Sequence, residues 1–171
     1  MIRTAFSAAC LSFFAVSAAH AANPTSLGQF SAWNAATFAK GDTQYCFIMS
    51  RPSAEEPSSL RHGEVVFFVQ TGQSGSETES SFQTGYNFAK DSTVTITIGD
   101  NNFRMLTQGS NAWLENLARE PALLAAMRAG QDMVLEAQSA RGNTTTYTFS
   151  LTGVTAASRM LARCNSDATQ S

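Results

Sequence analysis

Histidine and cysteine are scarce in this chain, at two and three of 171 residues. Serine and cysteine hydrolases usually need an imidazole beside the nucleophile, and ordinary zinc sites need several nitrogen or sulfur ligands, so this scarcity removes most such chemistries. Proline is also sparse, at four, and no Walker-type or dinucleotide-binding glycine pattern is present. Eleven basic residues stand against thirteen acidic ones. The charges fall singly, without the basic cluster that tracks a phosphate backbone. Nucleic acid is therefore not an expected partner, and the same scatter argues against attraction to anionic lipid.

What is present begins with an export pattern. Arg3 precedes a mostly apolar run from Ala5 to Ala19, which ends in the small-x-small sequence Ala19-His20-Ala21. This predicts a secretory signal peptide over residues 1–21, cut after Ala21 or one residue later. A retained anchor needs about 20 apolar residues, whereas this run is shorter and is broken by Ser7, Ser12 and Ser17. Cys10 has Ser7 where a lipoprotein signal wants leucine, so it is expected to leave with the signal. No later segment is long and apolar enough to span a bilayer. Residues 22–171 have the length of one domain with one core.

Cys46 and Cys164 then remain, and an even cysteine count in an exported chain predicts a bridge between them. In the chain-entropy picture such a loop stabilises by roughly 4 to 5 kcal/mol. Two separate buried thiols are the alternative. A redox pair is disfavoured because no Cys-x-x-Cys motif exists.

Most periodic segments alternate. Thr93 to Ile98 places Val94, Ile96 and Ile98 on one strand face, Gly99 to Asn102 forms a turn, and Phe103 to Leu106 resumes, which predicts a hairpin. Further strands are expected at Phe30 to Trp33, Tyr45 to Met49, Glu64 to Gln70 and Ser81 to Phe88. Met133 to Ala137 and Thr144 to Leu151 should pair around Arg141-Gly142-Asn143. Two helices interrupt the pattern. One begins near Pro121, carries Leu123, Leu124 and Met127, and stops at Gly130; the other follows a capping Thr155 and delivers Cys164. With about eight strands and no βαβ alternation, the expected fold is mainly β. It is a small antiparallel β-sandwich or partly closed barrel with two short helices. Pro52 to Ser59 and Thr71 to Ser80 should be exposed loops, and Asn165 to Ser171 a frayed end.

Tests for catalytic constellations come out negative. After cleavage only His62 remains, between Arg61 and Gly63 in a polar stretch that predicts a solvated loop residue. Gly72-Gln73-Ser74-Gly75 is one position short of a nucleophile elbow, and Thr37-Phe38-Ala39-Lys40 lacks the serine of a Ser-x-x-Lys site. Glu55-Glu56 reads as loop charge. Asn143-Thr144-Thr145 matches a glycosylation sequon, which matters only in a eukaryotic secretory pathway. No catalytic residue, metal or cofactor is assigned. The aromatics suggest one recognition surface: Trp113, expected at the entry to the first helix, beside a cation such as Arg141. Packing is the competing role for Trp113, as it is for Trp33.

The order of these segments resembles the invasion-associated locus B family of exported bacterial envelope proteins. The resemblance rests on Phe30-Ser31-Ala32-Trp33, Tyr45-Cys46, Gly85-Tyr86-Asn87-Phe88 and Lys90 to Val94. It continues through Ala112-Trp113, Leu124 to Gly130, Ser139-Ala140-Arg141-Gly142, Phe149 to Gly153 and Cys164. Similar proteins often carry proline where this chain has Asn87. The resemblance implies a protein of the periplasm or outer envelope of a Gram-negative bacterium, linked in pathogens to host-cell entry, and it supplies no catalytic residues. The resulting expectation is a non-catalytic, disulfide-stapled domain that binds an envelope component or a host surface molecule. A periplasmic enzyme using carboxylates or Tyr86 without histidine is the first alternative, which a cleft with two facing carboxylates would favour. A structural envelope-stress factor is the second.

Overall fold

A computed structural model of the chain describes residues 24–41, 43–72 and 78–168. The expected signal peptide, Cys10 included, lies outside them. Alternation of side chains across a pleated backbone builds most of the molecule. The chain runs through β1 (Thr25–Phe30), β2 (Trp33–Lys40), β3 (Thr43–Ser50), β4 (Ala54–Glu56), β5 (Val66–Thr71) and β6 (Thr78–Gln83). It continues with β7 (Thr93–Ile98), β8 (Asn101–Gln108), β9 (Asn111–Leu114), α1 (Glu120–Ala129), β10 (Asp132–Gln138), β11 (Thr144–Ser150) and α2 (Val154–Ala168). A short 3-10 turn, Leu117–Arg119, leads into α1.

The strands form one antiparallel sheet in the order β1-β2-β3-β5-β6-β9-β8-β7-β10-β11-β4. It curls over a shared core without closing. Phe67 of β5 meets Phe149 of β11 at 6.0 Å between ring centres. Phe82 of β6 meets Tyr147 of β11 at 5.5 Å. The Trp33 indole N–H on β2 donates to the Ser150 carbonyl at 3.0 Å. Strands far apart in the sheet order therefore face one another, and all of these rings are fully buried. Burial of each such side chain is worth about 1.5–3 kcal/mol. The expected mainly β, partly closed architecture with two helices is what forms.

The helices cover this core as their apolar spacing requires. In α1, Pro121 occupies the first turn, Leu123 and Met127 are buried, and the Gly130 N–H returns to the Ala126 carbonyl. Ala157 and Leu161 of α2 are buried, and the helix packs on β1, β2 and β3. It starts at Val154, one residue before the threonine expected to cap it. Gly153 fixes this approach: a Cβ there would lie 2.0 Å from the Phe30 carbonyl oxygen.

Several local expectations are corrected. Phe30 to Trp33 is a turn between two strands, with Ser31 at a φ of +52°. β2 escapes notice because the residues facing inward after Trp33 are the small Ala35 and Thr37, which blur the alternation. The strand expected over Ser81 to Phe88 ends at Gln83. Of the expected loop Thr71 to Ser80, Thr71 belongs to β5 and residues 78–80 belong to β6, with Thr78 and Ser80 buried; residues 73–77 lie outside the described part. Within Pro52 to Ser59, Ala54–Glu56 pairs with β11, because a ladder needs backbone groups and not apolar side chains. Trp113 lies in β9, paired with Ser81 and Leu106, and not at the helix entry.

Candidate functional site

Two glycines build the site. Gly63 has a φ of +73°, and a Cβ on it would come within 2.8 Å of the Gly85 Cα. A Cβ on Gly85 would lie 2.6 Å from the Gly63 Cα and 2.7 Å from the His62 carbonyl oxygen. Only backbone without side chains can come this close. The contact brings the β4–β5 connection, with Arg61 and His62, against the segment leaving β6, with Tyr86 and Asn87.

The expectation that His62 is solvated is overturned: the residue is 5% exposed. Its Nε2–H donates to the Pro57 carbonyl at 3.0 Å, and its Nδ1 lies 2.9 Å from the Tyr147 hydroxyl. The polar stretch around it suggested solvent, but both ring nitrogens find protein partners, which removes the cost of burial. Tyr147 Oη is also 2.9 Å from Tyr86 Oη, which is 2.6 Å from Thr145 Oγ1. Thr145 then donates to the Ala137 carbonyl at 3.3 Å. Burial pushes the Tyr147 phenol well above its ordinary pKa, and the hydrogen bond with Tyr86 pushes it further. Tyr147 therefore stays a neutral hydroxyl and is not available as a phenolate nucleophile.

Over this chain of hydroxyls opens a cleft of about 470 Å³, lined by Arg61, His62, Tyr86, Asn87, Arg141 and Asn143 among others. Its far wall is the β10–β11 turn. The Ala140 N–H donates to the Asn87 carbonyl at 2.8 Å, and the Asn143 N–H donates to Ser139 Oγ at 3.1 Å. Gly142, at a φ of +82°, allows that turn. Among the described residues, no aspartate or glutamate lines the cleft. Arg61 and Arg141 are exposed and form no ion pair or hydrogen bond among the described residues. Several other arginines are engaged, Arg51 with Glu64, Arg104 with Glu115 and Arg128 with Ser158, whereas exposed Arg159 on α2 is likewise unpaired among the described residues but lies outside the cleft. Arg119 lies 4.4 Å over the Phe103 ring. A smaller depression of about 230 Å³ beside Arg104 and Arg119 holds only cations that already have partners.

The structure separates the two residues expected to form a recognition surface. Arg141 lines the cleft, whereas half-buried Trp113 sits mid-sheet on β9 and does not. Cys46 is fully buried on β3, and the side chain of Cys164 lies outside the described residues. Sequence reasoning missed the roles of His62, Asn87 and Asn143. The available signal was Gly63 directly after the histidine and Gly85 directly before Tyr86. A second buried polar group, Glu120 at the start of α1, is fully buried and accepts from the Ser80 N–H at 2.8 Å and the Ser80 hydroxyl at 2.7 Å. Burial raises its pKa despite those bonds. It does not line the cleft, so the two facing carboxylates that would favour an enzyme are not found there. Among the described residues no three potential metal ligands come together, and no helix is long and apolar enough to cross a membrane.

Comparison with known proteins bears on the whole of this architecture. A model of the invasion associated locus B (IalB) protein family matches residues 33–162, a span that includes every cleft residue named above. Among solved structures, the crystal structure of invasion associated protein b from Bartonella henselae superimposes with a TM-score of 0.64. The two are 12% identical, over 84% of this chain and 98% of that one, so the likeness is one of fold. No curated protein matches the sequence.

Proposed function

The chain belongs to the invasion associated locus B family, and from that premise we propose an exported, non-catalytic envelope protein that binds an envelope component or host surface molecule through the basic cleft. The observation that carries the reading is the pair of unengaged guanidiniums, Arg61 and Arg141, over a floor fixed by fully partnered hydroxyls. A preformed concave site with charge left over is suited to recognition. Among the described residues, its lining offers no paired carboxylate for chemistry.

Export is supported by the pattern over residues 1–21, which directs the mature chain to the periplasm or outer envelope. A Cys46–Cys164 bridge belongs to the same reading. Cys46 is a disulfide cysteine, and α2, which carries Cys164, packs on β3, which carries Cys46.

The test is crosslinking capture from intact cells with the mature, oxidised protein, compared with an Arg61→Ala/Arg141→Ala double variant. A partner retained by the first and lost by the second is expected. Equal retention by both would remove the cleft from the binding role. Capture of nothing, with membrane integrity lost on deletion of the gene, would replace binding with a structural envelope role.

A further inference from the structure

We infer that the cleft recognises an anionic saccharide, with the carboxylate or phosphate of the sugar taken by Arg61 and Arg141. This rests on the reading of the cleft as the binding site. Three observations select the ligand class. First, the lining carries two unpaired cations and no carboxylate, in a chain whose acidic residues outnumber its basic ones. Attraction is therefore for negative charge, and a guanidinium fork matches the oxygens of a carboxylate or phosphate. Second, the polar lining besides the arginines includes the amides of Asn87 and Asn143, the hydroxyl of Ser59 and the phenol of Tyr86, while His62, Ser139 and Thr145 already have protein partners. Side-chain amides both donate and accept, as a ligand bearing many hydroxyls requires.

Third, the main chain of the wall around Asn87 is already engaged. The Asn87 carbonyl is occupied by the Ala140 N–H, the Phe88 N–H by the Gly109 carbonyl, and the Ala89 N–H by the Gln138 carbonyl. An extended peptide gains affinity by adding main-chain bonds to a free edge, and along this wall those bonds are already made. The volume of about 470 Å³ falls within the small-molecule range, about 300–1,000 Å³, and is too small for a folded partner to enter. A single sugar unit, free or at the end of a glycan, suits it.

The deciding experiment is a titration of the mature, oxidised protein with glucuronate, glucose 6-phosphate, glucose and inorganic phosphate. It is followed by calorimetry and by the backbone amide resonances of Tyr86, Asn87 and Asn143. Saturable binding of glucuronate, glucose 6-phosphate or both is expected, at least about tenfold tighter than glucose or phosphate alone. Arg141→Ala should weaken it at least about tenfold while leaving the thermal midpoint in place. Which of the two sugars binds more tightly tells a carboxylated source from a phosphorylated one. Phosphate binding as well as the sugars would overturn saccharide recognition, and glucose binding equally well would overturn the role of charge. Failure of all four to bind would overturn the inference outright. If the double arginine variant still loses the captured partner in that last case, the binding reading stands and only the ligand class is wrong.

Discussion

The buried polar clusters around Glu120 and around His62 differ in what they leave over. Under α1, Glu120 is enclosed by its two bonds from Ser80, and its charge has no route to solvent. Under the cleft, the His62, Tyr147, Tyr86 and Thr145 chain is equally well partnered, but it passes through half-buried Tyr86, which lines the cleft together with two unpaired arginines. Buried polarity alone therefore does not mark a site. The Glu120 cluster ties a helix to a strand, whereas the His62 cluster holds the floor of an opening rimmed with unspent charge. Hydrogen bonding decides whether such a group can be buried at all; unmatched charge at the rim decides whether it can recognise anything.

The sharpest way to break this contrast is Gly85→Ala. The added Cβ meets backbone at 2.6 and 2.7 Å and cannot be relieved by a side-chain rotation. A loss of about 3 kcal/mol is expected in urea denaturation, at the upper end of overpacking costs. Partner capture should fall with it. A midpoint unchanged from the parent would mean that the two glycines do not set the floor.

Tyr147→Phe comes next. It keeps the ring in the core and strips His62 Nδ1 and Tyr86 Oη of a shared partner. A cost of about 1–3 kcal/mol is expected for a buried polar group left unsatisfied. Adding His62→Phe should cost less than the two single changes together, because each removes the other's orphan. Strict additivity would show that the chain of hydroxyls is not one unit.

The Glu120 cluster should respond to pH in a way that Glu120→Gln abolishes. Burial raises the Glu120 pKa above 4.5, so the folded protein takes up this proton before the unfolded chain does. The resulting stabilisation is complete below 4.5 and is lost as pH rises through the folded value. Relative to the variant, the parent should be more stable near pH 4 than near pH 7. Parallel denaturation profiles for the two proteins across that range would contradict a desolvated carboxyl. The smallest stability change belongs to Arg141→Ala, within about 0.5 kcal/mol for an exposed residue with no partner. Its effect should appear in binding alone, which separates recognition from packing in a single substitution.

How much was legible follows from the range of each interaction. The β7–β8 and β10–β11 hairpins stood out because threonine alternates with aliphatic or aromatic residues, and Val94, Ile96, Tyr147 and Phe149 turn inward as that pattern requires. β2 was hidden because alanine and threonine carry the inward positions. β4 was hidden because its pairing with β11 uses main-chain groups that the sequence does not display. For the site, Arg141 was named from a turn and stands where a ligand could reach it. Chemistry alone pairs Trp113 with it, and the sheet order carries the two apart. The burial of His62 is hidden for the opposite reason: Tyr147 lies 85 residues away, and no local pattern announces it.

Strand periodicity, the helix boundaries at Pro121 and Gly130, the export pattern and the shortage of catalytic residue types are properties of neighbours along the chain, and the sequence by itself determined them. The tertiary structure decided that His62 is inside, that Glu120 is sealed, and that Arg61 and Arg141 line the same cleft without a carboxylate to neutralise them. Alternation is fixed by the geometry of one backbone, whereas the partner of a hydrogen bond or a charge is fixed by which distant segments meet. Here that meeting depends on two glycines pressed against one another.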